Sequence, residues 1–255
     1  MEVRPRTRRK GIYLLPNLLT TGALFAGFYS IVAAIDGNFP SAAYGVFVAM
    51  FLDGLDGRVA RLTSTASEFG KEYDSLSDMV SFGLAPAIVT YQWGVERLSE
   101  YGAVWGRLGW LAAFLYVGAA AFRLARFNSN VAQDRRFFQG LPSPPAAAGV
   151  VTMVWLATHP NYGIGGLTAL AAGITITAVT GLLMMSRFAY SSFKDVSPGK
   201  RLRFVHLLLI LAVIIFVAIE PPITIFVLFL VYASSGPVAW LWHRRRVKRE
   251  APPGA

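Results

Sequence analysis

The sequence predicts an all-α membrane protein, a polytopic bundle of about eight transmembrane helices. Of its 255 residues, 55% are hydrophobic and only 15% are charged, whereas a typical soluble domain has about 25% charged residues. Apolar runs recur along the chain, and a helix needs about 20 mostly apolar residues to cross a bilayer. Because backbone polar groups in lipid must be satisfied internally, and because the runs lack the alternation of barrel strands, we expect helices.

Eight spans can be placed on these runs, and they form one transmembrane domain, residues 12–243. A basic segment, 1–11, precedes it and a basic tail, 244–255, follows it. The fifth span is short and follows the proline-rich LPSPP. The predicted spans are 12–34, 40–62, 72–94, 107–127, 144–158, 164–186, 203–219 and 222–243.

The positive charges are distributed asymmetrically about these spans. With both termini on one side, 22 of the 24 lysines and arginines fall on that side. Cytoplasmic loops are enriched in these residues, so we expect both termini and three loops to face the cytoplasm. Topology and attraction to anionic membrane lipids therefore explain the net charge of +10, and no nucleic-acid partner is expected. The absence of cysteine excludes disulfides and thiolate metal sites.

Four aspartates fall near the cytoplasmic ends of the second and third spans. Asp53 and Asp56 are three residues apart and share one helix face, and Asp74 and Asp78, four apart, share another. If the two helices run antiparallel, all four carboxylates converge. Such a cluster needs positive charge, and hard divalent cations prefer oxygen ligands. The alternative is that these acids cap helix ends and pair with nearby cations, but they outnumber those cations, and acids within membranes are usually functional.

Small residues and an arginine, whose charge is permanent, lie near the aspartates in the sequence. Gly54, Gly57 and Ala60 remove side-chain bulk on the second helix, and Gly70 could do the same on the third. They would allow a ligand to approach the backbone, although tight helix packing is the simpler explanation. Arg61 suits phosphate recognition, and a salt bridge to an aspartate fits its charge equally well.

The spacing of these residues resembles the signature of the CDP-alcohol phosphotransferase family. The matching positions are Asp53, Asp56, Gly57, Ala60, Arg61, Gly70, Asp74 and Asp78. The resemblance implies a six-helix core, a homodimer, and transfer of a substituted phosphoryl group from a CDP-linked donor to an alcohol with release of CMP. It also implies that the aspartates hold two divalent cations, Mg²⁺ or Mn²⁺, and that Asp78 is both a ligand and the catalytic proton acceptor.

The same resemblance implies which residues bind the CDP-linked lipid. They lie in the signature and in the first-span segment PNLLT: Asn17, Thr20, Gly57, Ala60, Arg61, Ser67 and Gly70.

Segments after the signature bear on the acceptor alcohol. SFGLAPA, RLARFN, FFQGLPSPPAAA and SRFAYSSFKD resemble the membrane-embedded phosphatidylserine synthases within that family, which implies CDP-diacylglycerol as donor and L-serine as acceptor. Arg123, Arg126 and Arg187 are candidates for binding the serine carboxylate or a lipid phosphate, although the charge asymmetry alone would also place them there. Asn128 and Ser143 could bind polar groups or serve as loop caps.

Other acceptors and another class of protein are also considered. Glycerol phosphate, inositol phosphate or choline would use the same chemistry. A cation transporter would also carry intramembrane acids, but transporters commonly show internal repeats, and the 53–78 pattern has no convincing second copy. We expect an enzyme in a cytoplasmic membrane of bacterial or archaeal type, with its active site facing the cytoplasm.

Overall fold

A computed structural model describes residues 14–129, 137–162, 165–191 and 204–250 as a helical bundle with one short β-ribbon. Two π-helical segments, Met79–Leu84 and Tyr91–Val95, join three short helices into one continuous stretch over residues 68–99, the third helical run. The helices are α1 Leu14–Ile35, α2 Phe39–Thr63, α3 Glu68–Asp78, α4 Ala85–Thr90, α5 Glu96–Ser99, α6 Ala103–Ser129, α7 Ser143–Thr158, α8 Gly166–Met185, α9 Phe204–Ile219 and α10 Pro221–Glu250. The predicted all-α membrane fold is confirmed.

Each of the eight predicted spans coincides with one helical run. By length and composition, four of the described helices could cross a membrane: α1, α6, α8 and Pro221–Trp242 of α10. The described apolar stretch of α9 is shorter than these four helices and covers Leu207–Ile219. The number of crossings, their orientation and the division into domains stay predictions, and residues 1–13 and 251–255 lie outside the described ranges.

Local capping determines where α2 ends and α3 begins. Ser64 has φ 53°, in the left-handed region, and its amide donates to carbonyls of the last turn of α2, a common way for a helix to stop. Three residues later the Ser67 hydroxyl accepts a hydrogen bond from the Gly70 amide at 3.0 Å, which satisfies a donor of the first turn of α3. The chain therefore reverses direction within a few residues.

Small residues allow α1 to pack closely against both α2 and the third helical run. A Cβ on Gly45 of α2 would lie 2.9 Å from Ser30 of α1, and one on Gly27 of α1 would collide with Ser81. The Ser81 hydroxyl donates to the Ala23 carbonyl at 3.1 Å. Close approach of backbones through small residues is a general basis of helix association in membranes, and here it fixes α2 and α3 around α1.

The fifth predicted span, α7, is a central core helix. Its side chains are buried around almost its whole circumference from Ser143 to Trp155, as expected for a helix that is apolar on every side. Val151 and Val154 belong to the core cluster shared with α1 and α2, whereas Val150 belongs to the cluster shared with α6 and α10. The helix therefore connects the two halves of the core.

The β-ribbon was not predicted from the sequence. Strands β1, Phe137–Gln139, and β2, Ala189–Ser191, pair antiparallel. The buried Tyr190 anchors the ribbon because its hydroxyl donates to the Ala233 carbonyl of α10 at 3.0 Å. The chain turns into α7 at Gly140, where φ is +79° and a side chain would collide with the Met184 carbonyl. The ribbon thus joins the ends of α6, α7 and α8 to α10.

Candidate active site

The structure brings the four aspartates of the signature together. Asp53 and Asp56 come from α2 and Asp74 from α3, and one carboxylate oxygen of each lies within 4.8 Å of the others. Asp78 lies near this group, because its carboxyl interacts electrostatically with those of Asp53 and Asp74. The tight turn between α2 and α3 therefore produces the convergence that the spacing predicts.

Asp56 is held in place from α1. It is buried, and the Thr20 hydroxyl lies 2.5 Å from its Oδ2. The same hydroxyl lies 3.1 Å from the Pro16 carbonyl oxygen, and the Thr20 carbonyl accepts a hydrogen bond from Ser77 at 3.3 Å. Because Ser77 adjoins Asp78 on the third run, Thr20 links the carboxylates of α2 and α3.

The donor set fits divalent cations. Carboxylates this close repel one another unless a proton or a cation lies between them, and every donor offered is oxygen, as hard divalent cations require. Asp74 Oδ1 is buried and has no hydrogen-bond partner among the described residues. A buried acceptor in that state usually indicates an absent ligand, water or ion, so the cluster suits a metal better than a structural ion pair.

A cavity of about 210 Å³ adjoins Asp56 and Asp74. Its walls come from α1, α2, the turn before α3, and α3 itself. Lys71 contributes a second cation, and neither it nor Thr65 was among the predicted ligands. All seven residues predicted to bind the CDP-linked lipid line this cavity: Asn17, Thr20, Gly57, Ala60, Arg61, Ser67 and Gly70. The arrangement places two cations and a face of small residues beside the carboxylates, as an anionic phosphate ligand would require.

Gly57 contributes open space to this cavity. A Cβ on Gly57 would meet no atom within 4 Å, so helix packing does not require a glycine there. By contrast, a Cβ on Gly70 would lie 3.1 Å from the Ser67 hydroxyl oxygen. The Ser67 hydroxyl accepts the Gly70 amide, and its own proton can still be donated to a ligand.

Arg123 of α6 lies beside Asp78. The side chain is buried, interacts electrostatically with Asp78, and donates from Nη1 to the Ser143 hydroxyl at 2.5 Å. Its Nε is buried without a hydrogen-bond partner among the described residues. Ser143 begins α7, so the central helix and α6 meet at this guanidinium. The sequence suggested Arg123 as a candidate but did not indicate its contact with Ser143.

The other two candidate arginines are placed differently. The Arg126 guanidinium donates to the Gln139 carbonyl at 2.8 Å and to the Met185 carbonyl at 3.4 Å, which attaches β1 to the end of α8. Arg187 is exposed between α8 and β2. Asn128 donates to the Ser75 hydroxyl at 2.9 Å, so it braces α6 against α3 between two of the aspartates.

The fold and this site define a helical membrane protein with a cluster of carboxylates that could hold a metal ion beside a cationic cavity. Residues 13–185 match the model of the CDP-alcohol phosphatidyltransferase family, and the chain belongs to that family. The family and the enzyme class predicted from the signature are thereby confirmed.

Several curated relatives resemble most of the chain. A CDP-diacylglycerol–serine O-phosphatidyltransferase of Helicobacter pylori is 39% identical over 232 residues, 91% of this chain and 92% of the relative. A protein of the same name from Mycobacterium leprae is 36% identical over 94% of this chain and 79% of its own length. An archaetidylserine synthase of Methanothermobacter thermautotrophicus is 35% identical over 69% of both chains.

Proposed function

We propose that this protein transfers the phosphatidyl group of CDP-diacylglycerol to the hydroxyl of L-serine, giving phosphatidylserine and CMP. One structural observation supports the donor chemistry above all: Asp56 and Asp74 of the aspartate cluster line a cationic cavity that is also lined by every residue that the family resemblance assigns to the CDP-linked lipid. The names and high coverage of the relatives support serine as the acceptor.

In the proposed step, the serine hydroxyl oxygen attacks the phosphorus that carries the diacylglycerol. A P–O bond to serine forms, the P–O bond to the CMP oxygen breaks, and CMP leaves with the electron pair. Asp78 accepts the hydroxyl proton, acting as a general base. Its attraction to the Arg123 guanidinium would help to orient that carboxyl towards the acceptor.

Asp53, Asp56 and Asp74, with Asp78, would hold two divalent cations, Mg²⁺ or Mn²⁺. When bound, such cations neutralise the pyrophosphate and the charge that develops on the leaving group. Thr20 holds Asp56 and so contributes to the geometry of this centre. Substitution of a residue that orients a metal ligand commonly lowers metal affinity or activity 10- to 100-fold.

The donor would bind in the cavity with its phosphates towards the aspartates. Arg61 and Lys71 supply the cationic groups there, and Arg61 can form two parallel hydrogen bonds with a phosphate. Gly57 leaves room for the nucleotide next to the α2 backbone, and Ser67 can donate its hydroxyl proton. Asn17 would contribute an amide from α1.

Arg123 would bind the serine carboxylate. An N–H group buried without a partner is costly, whereas a charge-assisted hydrogen bond from it stabilises a bound anion. The Arg126 guanidinium already donates hydrogen bonds to backbone carbonyls, so its proposed contribution is to hold the ribbon in place. The exposed Arg187 would bind a lipid phosphate. Glycerol phosphate and inositol phosphate carry more negative charge than serine and would need a stronger anion pocket.

We further propose that the site faces the cytoplasm and that the enzyme is a homodimer in a bacterial or archaeal cytoplasmic membrane. The distribution of 22 of 24 basic residues supports the orientation. A CDP-linked lipid in the inner leaflet and soluble serine could meet at this edge of the bilayer.

An acceptor screen tests the proposed function. Purified protein is incubated with CDP-diacylglycerol and Mg²⁺ or Mn²⁺, and CMP release is measured separately with serine, glycerol phosphate, inositol phosphate and choline. We expect CMP release with serine, together with an equal amount of phosphatidylserine. CMP release with another alcohol and none with serine would refute the assignment of the acceptor.

A further inference from the structure

The segment SFGLAPA, residues 81–87, overlaps the π-helical segment Met79–Leu84, which follows Asp78 directly. The Ala85 amide donates to the Val80 carbonyl, five residues earlier, whereas an α-helix would use the carbonyl four residues earlier. Single π turns within α-helices are often found at functional sites. Here the π turn separates the carboxylates of α3 from the part of the third helical run that packs in the core.

Pro86 explains why a regular α turn is disfavoured at this place. In an α-helix, the Phe82 carbonyl would accept a hydrogen bond from the amide of residue 86, but proline has no amide proton, and its ring clashes with the carbonyl four residues before it. The Tyr116 hydroxyl of α6 donates to the Phe82 carbonyl instead, at 3.0 Å. The side chains of Tyr116 and Phe82 are fully buried. The hydroxyl therefore supplies, within the core, the donor that Pro86 lacks.

The part of the run that follows the π turn is fixed by packing. Ala85 and Val89 are fully buried in the core cluster shared with α1 and α2, and the Ser81 hydroxyl donates to the Ala23 carbonyl of α1 at 3.1 Å. A change in the register of the π turn therefore has to be taken up before it, at Asp78. One residue of register corresponds to a rotation of about 100°, because about 3.6 residues complete a turn of α-helix. Such a rotation would turn the Asp78 carboxyl away from the other carboxylates.

We propose that Tyr116 is a positioning residue for Asp78: its hydroxyl takes the place of the amide that Pro86 lacks and so holds the π turn that directs Asp78 towards the other aspartates. The inference rests on the proposed function, in which Asp78 accepts the proton of the acceptor hydroxyl. On this run, the residues that line the cavity proposed for the donor end at Asp74, before the π turn. Tyr116 therefore controls the orientation of the base and not the binding of the donor.

The test compares Tyr116→Phe with Tyr190→Phe, which are closely matched. Both tyrosines are fully buried, and each hydroxyl donates to a backbone carbonyl of a neighbouring helix at 3.0 Å, Tyr116 to Phe82 and Tyr190 to Ala233. Both variants should therefore lower the thermal midpoint by similar amounts. For CMP release with serine, we expect only Tyr116→Phe to lower kcat, about 10- to 100-fold, since misplacement of a catalytic group by about 1 Å can cost about 100-fold. Its KM for CDP-diacylglycerol, and both constants of Tyr190→Phe, should match those of the wild type.

Pro86→Ala provides a second variant that leaves Tyr116 intact. It adds an amide that can donate to the Phe82 carbonyl, and so it allows a regular α turn in which Asp78 is rotated. We expect kcat to fall as in Tyr116→Phe, while the thermal midpoint stays the same or rises, because proline within a helix is destabilising. In the double variant, the new amide restores a partner to the Phe82 carbonyl. The thermal midpoint should therefore recover from its value in Tyr116→Phe, and kcat should stay low.

Three results would overturn the proposal. The first is an unchanged kcat in folded Tyr116→Phe or folded Pro86→Ala. The second is an equal loss of kcat in Tyr190→Phe, which would indicate a general loss of packing. The third is recovery of kcat together with the thermal midpoint in the double variant, which would show that the hydroxyl only stabilises the fold. Failure of the proposed function is recognised separately, because the wild-type protein would then release no CMP with serine.

Discussion

Gly57 offers a substitution that separates ligand binding from folding. Gly57→Ala adds one methyl group to the wall of the donor cavity, where a Cβ meets no protein atom within 4 Å. Its backbone is ordinary helix, with no positive φ. Alanine should therefore stabilise α2, because glycine in a helix costs about 0.5–1 kcal/mol relative to alanine. The protein should fold at least as well as wild type.

The same methyl group would occupy space that the proposed CDP-linked lipid needs. Forcing an extra methyl into a close-packed contact costs about 1–3 kcal/mol, which corresponds to about a 5- to 150-fold rise in the KM for CDP-diacylglycerol. We expect this rise together with an unchanged or higher thermal midpoint.

Gly54→Ala is the matched control for this change. Gly54 lies on the same helix, a Cβ there also meets nothing within 4 Å, and the residue does not line the cavity. Steady-state kinetics against CDP-diacylglycerol and thermal unfolding of both variants complete the test. If Gly57→Ala leaves the KM for CDP-diacylglycerol unchanged, or if Gly54→Ala raises it equally, the cavity is not the donor site.

Two further predictions concern the metal centre. Saturating Mn²⁺ should raise the thermal midpoint of the chelator-treated protein, since a cation at 100 times its Kd adds about 2.7 kcal/mol to the free energy of unfolding. Asp74→Asn should abolish that rise. An equal rise in the variant would place the metal elsewhere. Thr20→Val removes the hydroxyl beside Asp56 and should weaken Mn²⁺ activation about 10- to 100-fold. Thr21→Val, whose hydroxyl contacts Tyr73, is the control and should activate like wild type.

Much of the site could be predicted because it is local in sequence. The aspartates lie within 26 residues on two helices joined by a tight turn, so helical spacing alone brings Asp53 and Asp56 to one face and Asp74 and Asp78 to another. Long apolar runs likewise identify membrane helices from composition alone.

Features that depend on distant contacts could not be predicted. The pairing of Arg123 with Ser143 requires the packing of α6 against the start of α7, which no spacing specifies. The three-residue strands of the ribbon are too short to show alternation, and their formation depends on Tyr190 reaching α10. The third helical run begins at Glu68, not at residue 72, because the Ser67 cap extends it beyond the apolar segment.

The turnover of Asp78→Asn, measured with its affinity for CDP-diacylglycerol in the same preparation, tests the central claim most directly. Loss of a general base should lower kcat by about 10²- to 10⁴-fold. Binding of CDP-diacylglycerol in the presence of Mn²⁺ should persist, because the donor cavity is lined by Asp56 and Asp74 and not by Asp78. Turnover equal to that of the wild type would contradict the assignment of Asp78 as the proton acceptor.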